Sequence, residues 1–427
     1  MQYLTFNKII LKLNPNNMKG YFDKLFLYVL ILITNSLSAQ TASELNNSGL
    51  AKYNAKDYTG AMTDFTKAIA LNPKFDIAYH NRGLAKYGLK DYDGSIQDHS
   101  KAIEINPSYA NAFNDRGLAK SKLKDYTGAM QDYSKAIEFN PAYIVAYNNR
   151  GLMRVALKDY PGAIADYSKS IELKPAATEG YIGRGNAKLN MKDYKTAIPD
   201  FSKAIEINPS LPLAFLYRGN TRYMLKDEDG ALQDFIKVTL LQPGNSNVFF
   251  NIGAIYSSQK KSSEAIKAYR QYSLLEPGEW SGIKNTADIY YVQLSKFDSS
   301  SFYYNKAWQI KKNDKEIIER YGYSLLKQNK TTEAIAMFKN QIALLPDDPI
   351  GYYNLGAACS FGRQPKESLM YLDKALEKRM TDLATWQADK NLDNVRLLED
   401  FSKMVKKYFT KEILVKYPLL FSFAGRE

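Results

Sequence analysis

The sequence predicts an all-α protein built as a solenoid of stacked helical hairpins, and three observations support this. A small residue marks a 34-residue period, each period contains two stretches of helical spacing, and most periods end at a proline. The markers are Gly49, Gly83, Gly117, Gly151, Gly185, Gly219, Gly253, Ala287, Gly322 and Gly356, with one additional residue before Gly322. Self-similarity at such a period is typical of a solenoid, whose units bury their apolar faces on their neighbours.

The segment 79–107 shows the pattern inside one unit. In its first half Tyr79, Gly83 and Tyr87 follow one another at four-residue steps, and in its second half Ile96 and Ile103 continue a helical spacing. A Lys-Asp-Tyr sequence separates the two halves. Pro107 ends the second half, because proline cannot continue a helix and also restricts the residue before it. Each unit is therefore predicted to be a helical hairpin.

Three further positions keep the same phase. Twelve residues after the marker there is a small side chain: Ala61, Ser95, Ala129, Ala163, Ala197, Ala231, Ala265, Ala334 and Ser368. Sixteen residues after it there is usually an aromatic ring: Phe65, Tyr133, Tyr167, Phe201, Phe235, Tyr269 and Phe338. Twenty-four residues after it there is a proline: Pro73, Pro107, Pro141, Pro175, Pro209, Pro243, Pro277 and Pro346.

With these positions in phase, the sequence resembles the tetratricopeptide repeat family over roughly residues 42–382. The resemblance implies a right-handed superhelical solenoid of about ten helix-turn-helix hairpins, followed by a C-terminal capping helical segment. One departure recurs three residues after the marker, where the family usually has an aromatic side chain. The first six units have a basic residue there: Lys52, Lys86, Lys120, Arg154, Lys188 and Arg222.

A second basic column stands four residues further on, at Lys56, Lys90, Lys124, Lys158, Lys192 and Lys226. The two columns supply much of the formal net charge of +13. We expect most of these side chains to form a solvated face, whose field would favour acidic protein or peptide partners. Nucleic acid is not expected as a partner, because no recognised nucleic-acid module appears.

Two charged columns of opposite sign disappear together along the chain. Units two to six have arginine directly before the marker: Arg82, Arg116, Arg150, Arg184 and Arg218. Units one to six have aspartate directly before the aromatic position: Asp64, Asp98, Asp132, Asp166, Asp200 and Asp234. Both columns lie beside the inward stripes, and buried charges must be paired. We therefore predict a ladder of Arg–Asp ion pairs within or between adjacent hairpins.

The units divide into a regular and a divergent group. We expect six regular units over 42–245, four divergent units over 246–382, and a helical cap with a tail over 383–427. Aromatic residues gather around the one-residue insertion: Trp280, Tyr290, Tyr291, Tyr303, Tyr304 and Trp308. They indicate either a bend of the solenoid or a docking surface, and the bend is the favoured interpretation.

Beyond residue 382 the marker is lost, but helical spacing continues at Leu397, Leu398, Phe401, Met404 and Tyr408. An array needs a terminal unit with one polar face, so this segment is predicted to be the cap. The apolar end, 419–423, is expected to fold back on it. Contact of this helix with a membrane surface is the less favoured alternative, based on Lys403, Lys406, Lys407 and Lys411.

The first 39 residues are interpreted as an N-terminal extension and a signal peptide. Met18 and Lys19 precede an apolar run over 25–33, and small residues follow at Ser36–Ala39. This order is typical of a cleavable secretory signal, so we expect cleavage after Ala39 and a start at Met18. Gln40 stands where a bacterial lipoprotein would require cysteine. The predicted location is therefore the periplasm or the extracellular space, with an uncleaved signal anchor as the alternative.

A column of amide side chains is the predicted peptide-binding site. Asparagine stands two residues before the marker at Asn47, Asn81, Asn149, Asn251, Asn285 and Asn354. Asp115, Gly183, Tyr217 and Arg320 take this position in the other units. By resemblance to the family, the position lines the inner groove. An amide both donates and accepts hydrogen bonds, so such a column can bind an extended peptide whatever its side chains are.

Catalytic chemistry is not predicted. The chain has two histidines and one cysteine, and no phosphate loop, nucleophile-base pair or zinc spacing appears. His80 is expected to face the groove, His99 to pack in the aromatic position, and Cys359 to be a core residue. We therefore predict a non-enzymatic protein-interaction scaffold of the bacterial cell envelope, with no cofactor, no metal and no small-molecule substrate. The alternative is a structural subunit of an envelope or surface complex, docked through the divergent second half.

Overall fold

The computed structural model describes residues 41–421, and every regular element in this range is a helix. The predicted signal peptide lies outside the described residues. The chain separates into two compact units, of which unit 1 ends at Ile207 and unit 2 begins at Asn208. The domain boundaries proposed at 245 and 382 rest on sequence divergence and stay predictions.

Unit 1 contains five helical hairpins. Their helices are α1 (Ala42–Asn54), α2 (Tyr58–Leu71), α3 (Asp76–Gly88), α4 (Tyr92–Ile105), α5 (Ala110–Lys122), α6 (Tyr126–Phe139), α7 (Ile144–Ala156), α8 (Tyr160–Leu173), α9 (Thr178–Asn190) and α10 (Tyr194–Ile207). The odd-numbered helices are the first helices of the hairpins, and consecutive ones contact one another. We call their shared surface the first-helix face.

Unit 2 contains five further hairpins. Their helices are α11 (Pro212–Met224), α12 (Glu228–Leu241), α13 (Ser246–Ser258), α14 (Ser262–Leu275), α15 (Ser281–Asp288), α16 (Phe297–Ile310), α17 (Lys315–Leu326), α18 (Thr331–Leu344), α19 (Pro349–Phe361) and α20 (Pro365–Glu377). In both units each helix packs on its hairpin partner. The predicted all-α class and the repeated hairpin are therefore confirmed.

The marker glycine is small because a ring of the second helix occupies the space beside it. At Gly117 an added Cβ would lie 2.9 Å from Cε1 of Tyr133, and at Gly49 it would lie 2.5 Å from Cε1 of Phe65. Both rings are buried. Any larger side chain would push the two helices apart, so the period of the glycine fixes the period of the hairpins.

The Lys-Asp-Tyr sequence is the junction between the two helices of a hairpin. In unit 1 and the first hairpin of unit 2, the lysines at this position have φ between 63° and 66°. Lys124 N–H donates to the Ser121 carbonyl at 3.1 Å and Asp125 N–H to the Lys120 carbonyl at 3.0 Å, which is a Schellman arrangement. The Asp125 carboxylate then caps α6 by accepting the Gly128 N–H at 2.9 Å. These lysines are exposed, as expected for this basic column.

The one-residue insertion is absorbed inside the eighth hairpin. Helix α15 continues as a π-helix over Ile289–Gln293, and Leu294 N–H donates to the carbonyl of Ile289, five residues earlier, at 3.1 Å. Tyr304, one residue beyond the regular phase, is fully buried, and the ring of Tyr290 stacks on Tyr303 at 5.5 Å. The wider turn therefore resets the phase, so that α16 packs as in the other hairpins. The bend and the docking surface both stay predictions.

The segment after α20 forms the predicted cap. It contains α21 (Leu383–Ala388), α22 (Asp393–Arg396), α23 (Glu399–Tyr408) and α24 (Lys411–Leu414), with 3-10 turns at Lys390–Leu392 and Pro418–Phe421. Trp386, Phe401 and Val405 are buried in one cluster with Leu372 and Leu376 of α20. The cap thus covers the apolar face of the tenth hairpin.

Arg396 holds the bend of the cap together. Its guanidinium is fully buried and donates to the carbonyl oxygens of Gln387 at 2.8 Å, of Trp386 at 2.6 Å, and of Asp389. These carbonyls lie at the end of the short helix α21, where no further helical turn provides N–H groups to donate to them. A buried cation in this role was not predicted, because the sequence does not show which carbonyls are left over.

Two residues of the predicted cap stripe were wrong, and the second of them, Leu398, is 37% exposed. Leu397 is 58% exposed, because the chain leaves helical geometry at Leu398 and the spacing of a single helix no longer applies. The predicted return of the apolar end is confirmed for two residues. Leu420 is fully buried and the ring of Phe421 lies 6.2 Å from that of Phe401. Within residues 41–421, no helix has the length and apolar character needed to cross a bilayer.

Replacing Lys124 by glycine is expected to stabilise the protein. A side chain in the left-handed region costs about 1–2 kcal/mol, and glycine recovers this less about 0.5–1 kcal/mol of additional chain entropy. We expect a net gain of about 0.5–1 kcal/mol, measured by the midpoint of urea unfolding. Lys135→Gly, in the middle of α6, is the control and should destabilise. A loss of stability in Lys124→Gly would contradict the junction described above.

Candidate functional site

An aspartate on the second helix lies between two cations of the first helix in hairpins two to six. Asp132 shows the arrangement, with Oδ1 2.6 Å from Nη2 of Arg116 and Oδ2 2.8 Å from Nζ of Lys120. Across these hairpins the first distance is 2.6–2.8 Å and the second 2.8–2.9 Å. The predicted Arg–Asp ladder is confirmed. In the first hairpin Asp64 pairs with Lys52 at 2.7 Å and accepts the Ser48 hydroxyl.

The arginine of each network also connects neighbouring hairpins of unit 1. Arg116 donates from Nη1 to the Ser100 hydroxyl of the preceding hairpin at 3.0 Å, and its guanidinium lies 5.4 Å from the centre of the Phe113 ring. The same two contacts recur at Arg82, Arg150 and Arg184. One guanidinium therefore binds a carboxylate in its own hairpin and a hydroxyl in the preceding one, which fixes the spacing between the two hairpins.

The expectation of a solvated face was wrong for the first basic column. Lys86, Lys120 and Lys188 are 17–22% exposed, and each neutralises the same aspartate that the arginine binds. The sequence pattern paired each aspartate with one arginine and did not show that one carboxylate takes two cations. The positive charges of this column in hairpins two to six are consequently neutralised by aspartates of the same hairpins. An acidic partner has no support from it.

Apolar residues replace the network in later hairpins of unit 2. Ile252 and Ala268 are buried at the two positions in the seventh hairpin, and Leu355 is buried in the tenth. In the ninth, Met337 is buried and Tyr321 packs against the same cluster. Because the arginine and the aspartate are both replaced in these hairpins, neither is left buried without its counterion at these positions, as the sequence pattern indicated.

The predicted amide column occupies different environments. Asn47 is exposed, Asn149 is half-buried and Asn81 is buried, all on the first-helix face of unit 1. In unit 2, Asn251 and Asn285 are half-buried. Asn354 is buried and accepts the Tyr323 hydroxyl at 2.6 Å. Its amide donates to Glu319 and Gln341 at 3.0 and 3.1 Å, so it is held by its own chain.

The first-helix face carries a ladder of polar rungs between successive hairpins. Each rung joins the residue three before the marker to the residue two before the next marker. Asn81 donates to Asn46 Oδ1 at 2.9 Å, and Asn149 donates to Asn114 Oδ1 at 3.1 Å. The rung between these two is His80 with Asp115, whose Nε2 and Oδ2 atoms lie 3.6 Å apart. Two rungs are thus amide pairs, and the one between them is an ionisable pair.

The two histidines are neighbours, although they come from different positions of the repeat. Their ring centres are 5.2 Å apart, and the His80 ring lies 5.0 Å from that of Tyr109. Burial lowers the pKa of His80 to about 4 and that of His99 to about 3, so both are neutral at pH 7. In residues 41–421, no three His, Cys, Asp or Glu side chains are arranged to hold a metal ion. Cys359 is buried, and burial raises its pKa to about 11.

Sequence reasoning missed the partners that complete the rungs. Asn46, His80 and Asn114 stand three residues before their markers, and Asn148 has the same position in the next unit. A second polar column beside the first was therefore visible. The contacts of this second column could not be predicted, because a helical pattern within one repeat does not show which residues of the next repeat it contacts.

The fold and this face define a helical repeat protein, a class that binds other polypeptides along an extended surface rather than in one pocket. Family models described as "Tetratricopeptide repeat" match residues 45–75, 77–109, 110–143, 144–176 and 246–278, and a further one matches 178–211. The chain belongs to the tetratricopeptide repeat family. Such repeats support a role as a scaffold for protein–protein interactions.

Solved structures of repeat proteins are similar to the chain. A tetratricopeptide repeat protein from Parabacteroides merdae is 18% identical, with a TM-score of 0.46 over 58% of this chain and 98% of that one. The C-terminal part of a repeat protein from Cytophaga hutchinsonii is 20% identical, with a TM-score of 0.47 over 56% and 98%. YrrB, described as having an unusual peptide-binding site, is 23% identical, with a TM-score of 0.38 over 43% and 95%. A comparison with curated protein sequences finds no match.

Replacing Asp132 by alanine is expected to destabilise the protein by about 3 kcal/mol. The change leaves Arg116 and Lys120 half-buried without their shared counterion, and breaking a buried pair from one side costs about 3–5 kcal/mol. Urea unfolding measures the effect. Glu138→Ala is the matched control, because Glu138 also forms an ion pair on α6 but is mostly exposed, so it should change little. Equal effects of the two changes would show that the network contributes no stability.

Proposed function

We propose that the protein is a non-enzymatic scaffold of the bacterial cell envelope that binds an extended polypeptide along the first-helix face of unit 1. The amide rungs carry this proposal. An asparagine amide offers two donors and one acceptor oxygen, and each rung uses one N–H and one oxygen lone pair. Asn46, Asn81 and Asn114 are buried, and Asn114 also donates to Asp115. Asn149 is half-buried, so its remaining N–H group and lone pair can bind a peptide group of an extended chain.

Apolar contact is available next to the amides. Leu152 on α7 lies three residues after Asn149 and is 52% exposed, so it shares a surface with that amide. An extended peptide has side chains on both sides, and such a leucine gives one side an apolar contact. Polar atoms for the backbone and exposed apolar side chains for its substituents are what recognition of an extended peptide requires.

Binding should depend on α7 and not on α8. The double change Asn149→Ala and Leu152→Ala removes a rung donor and an apolar contact. We expect it to weaken binding of the partner isolated from an envelope fraction at least about tenfold, since each lost contact costs about 1 kcal/mol. Isothermal titration with the purified partner measures this.

The matched control is Lys169→Ala with Glu172→Ala on α8, where both side chains are largely exposed. This variant should bind as the wild type does. Unchanged binding by the α7 variant would reject the first-helix face. It would instead favour docking through the second half of the chain, which is the alternative role as a structural subunit.

The envelope location is part of the proposal and rests on the sequence of residues 18–39. We expect the mature chain to begin at Gln40 and to occur in the periplasmic or extracellular fraction. Cell fractionation followed by mass spectrometry of the N-terminal peptide measures both. A chain that retains residues 18–39 in the cytosol would contradict export and leave the peptide-binding proposal to be tested separately.

A further inference from the structure

Asp115 differs from the ladder aspartates of unit 1. The ladder aspartates, such as Asp98 and Asp132, lie within 2.8 Å of lysine or arginine nitrogen. The Asp115 side chain is only 19% exposed, yet among the described residues it pairs with no lysine or arginine. It accepts one hydrogen bond, from the Asn114 amide at 2.9 Å. Burial raises its pKa to about 6, with that hydrogen bond opposing the shift.

His80 faces Asp115 but does not neutralise it at pH 7. The residue is 7% exposed, its Nε2 lies 3.6 Å from Asp115 Oδ2, and its Nδ1 has no hydrogen-bond partner within residues 41–421. Its low pKa makes it neutral at pH 7. His99, behind it on α4, is fully buried and also neutral. The rung therefore consists of an anion next to an unsatisfied buried imidazole, where the neighbouring rungs have two amides.

Several tyrosines lie close enough to this carboxylate for its charge to affect their pKa values. Burial is the main cause of raised pKa values in five tyrosines, and the negative charge of Asp115 adds to the shift in each: Tyr53, Tyr87, Tyr109, Tyr133 and Tyr143. Asp76 is a second carboxylate nearby; it raises the pKa of Tyr109 and accepts the Asn106 amide at 2.9 Å. The two carboxylates make this part of the first-helix face attractive to a cation.

Burial destabilises the ionised carboxylate of Asp115 in the free protein. A ligand cation that binds next to it would offset this desolvation cost. We infer that Asp115, with His80 beside it, is the binding site for a lysine or arginine side chain of an extended peptide on the first-helix face. The inference rests on the proposed function and deepens it. It assigns the partner a basic residue at one register position, opposite to the acidic partner that the net charge favoured.

Selection from a displayed library of random twelve-residue peptides tests this, with the full chain as bait. We expect the wild type to enrich peptides that contain lysine or arginine. The variant Asp115→Asn should not, although it keeps the fold, because asparagine is the native residue at the equivalent position in the neighbouring hairpins, Asn81 and Asn149. The matched control Asp93→Asn, at an exposed carboxylate of α4, should select as the wild type does.

One selected peptide then supplies two quantitative readouts. Asp115→Asn should lower its affinity about tenfold, and exchange of the basic residue for glutamine should remove that difference. Affinity for the wild type should also fall as the pH decreases through about 6, where the Asp115 carboxylate takes up a proton. The Asp115→Asn variant should lose this pH dependence.

The remaining outcomes distinguish failure of the basic-residue site from failure of peptide binding. Enriched peptides without basic residues, or basic peptides that bind Asp115→Asn equally well, would overturn the assignment and leave peptide binding intact. No enrichment by either protein would reject peptide binding by this face, and the basic-residue site with it. The glutamine exchange in the peptide needs no variant protein, so it keeps the inference testable even if Asp115→Asn folds poorly.

Discussion

The structure depends on the close approach of the two helices in each hairpin, where an aromatic or aliphatic side chain of the second helix occupies the space beside the marker residue of the first. The contact recurs from Gly49 with Phe65 to Gly356 with Leu372. It does not depend on charge, so it persists in hairpins that have lost the ion-pair network. Because it sets the distance between helices, it decides which other side chains can meet across the hairpin.

The ion-pair network is a consequence of that approach. With the helices held close, Asp132 is brought to two cations whose long side chains keep partial access to solvent. Burying one anion between two cations leaves each group paired, so the cost of desolvation is offset. Ile252 and Ala268 fill the same positions without charge, which shows that the hairpin does not require ions. What the arginine adds is the hydrogen bond to the preceding hairpin, which fixes the order and spacing of neighbours.

Sequence periodicity was sufficient for the helices of each repeat and for part of the contacts between them. It predicted the hairpin, the close approach at glycine and the Arg–Asp pairing, the last because both residues disappear together. It failed for contacts that the spacing along one helix does not show. The second cation at Lys120 was placed in solvent, although it meets Asp132 across its own hairpin. His80 and His99 were given different roles, although their rings are neighbours across one hairpin. Leu397 was placed in a helix that ends before it. A helical pattern shows which residues share a face of one helix, but not which side chains of two helices meet.

The His80–Asp115 rung has a physical consequence for a surface made of repeats. Identical amide rungs along the first-helix face would bind an extended chain equally well at any register, because a shift by one hairpin replaces each contact with an equivalent one. A single rung of different chemistry removes that equivalence. Among the described residues, no lysine or arginine neutralises Asp115, whereas the Asn46–Asn81 and Asn114–Asn149 rungs carry no charge. On the proposal above, a ligand charge placed at this rung would have one lowest-energy register, and binding to this surface would be specific in position.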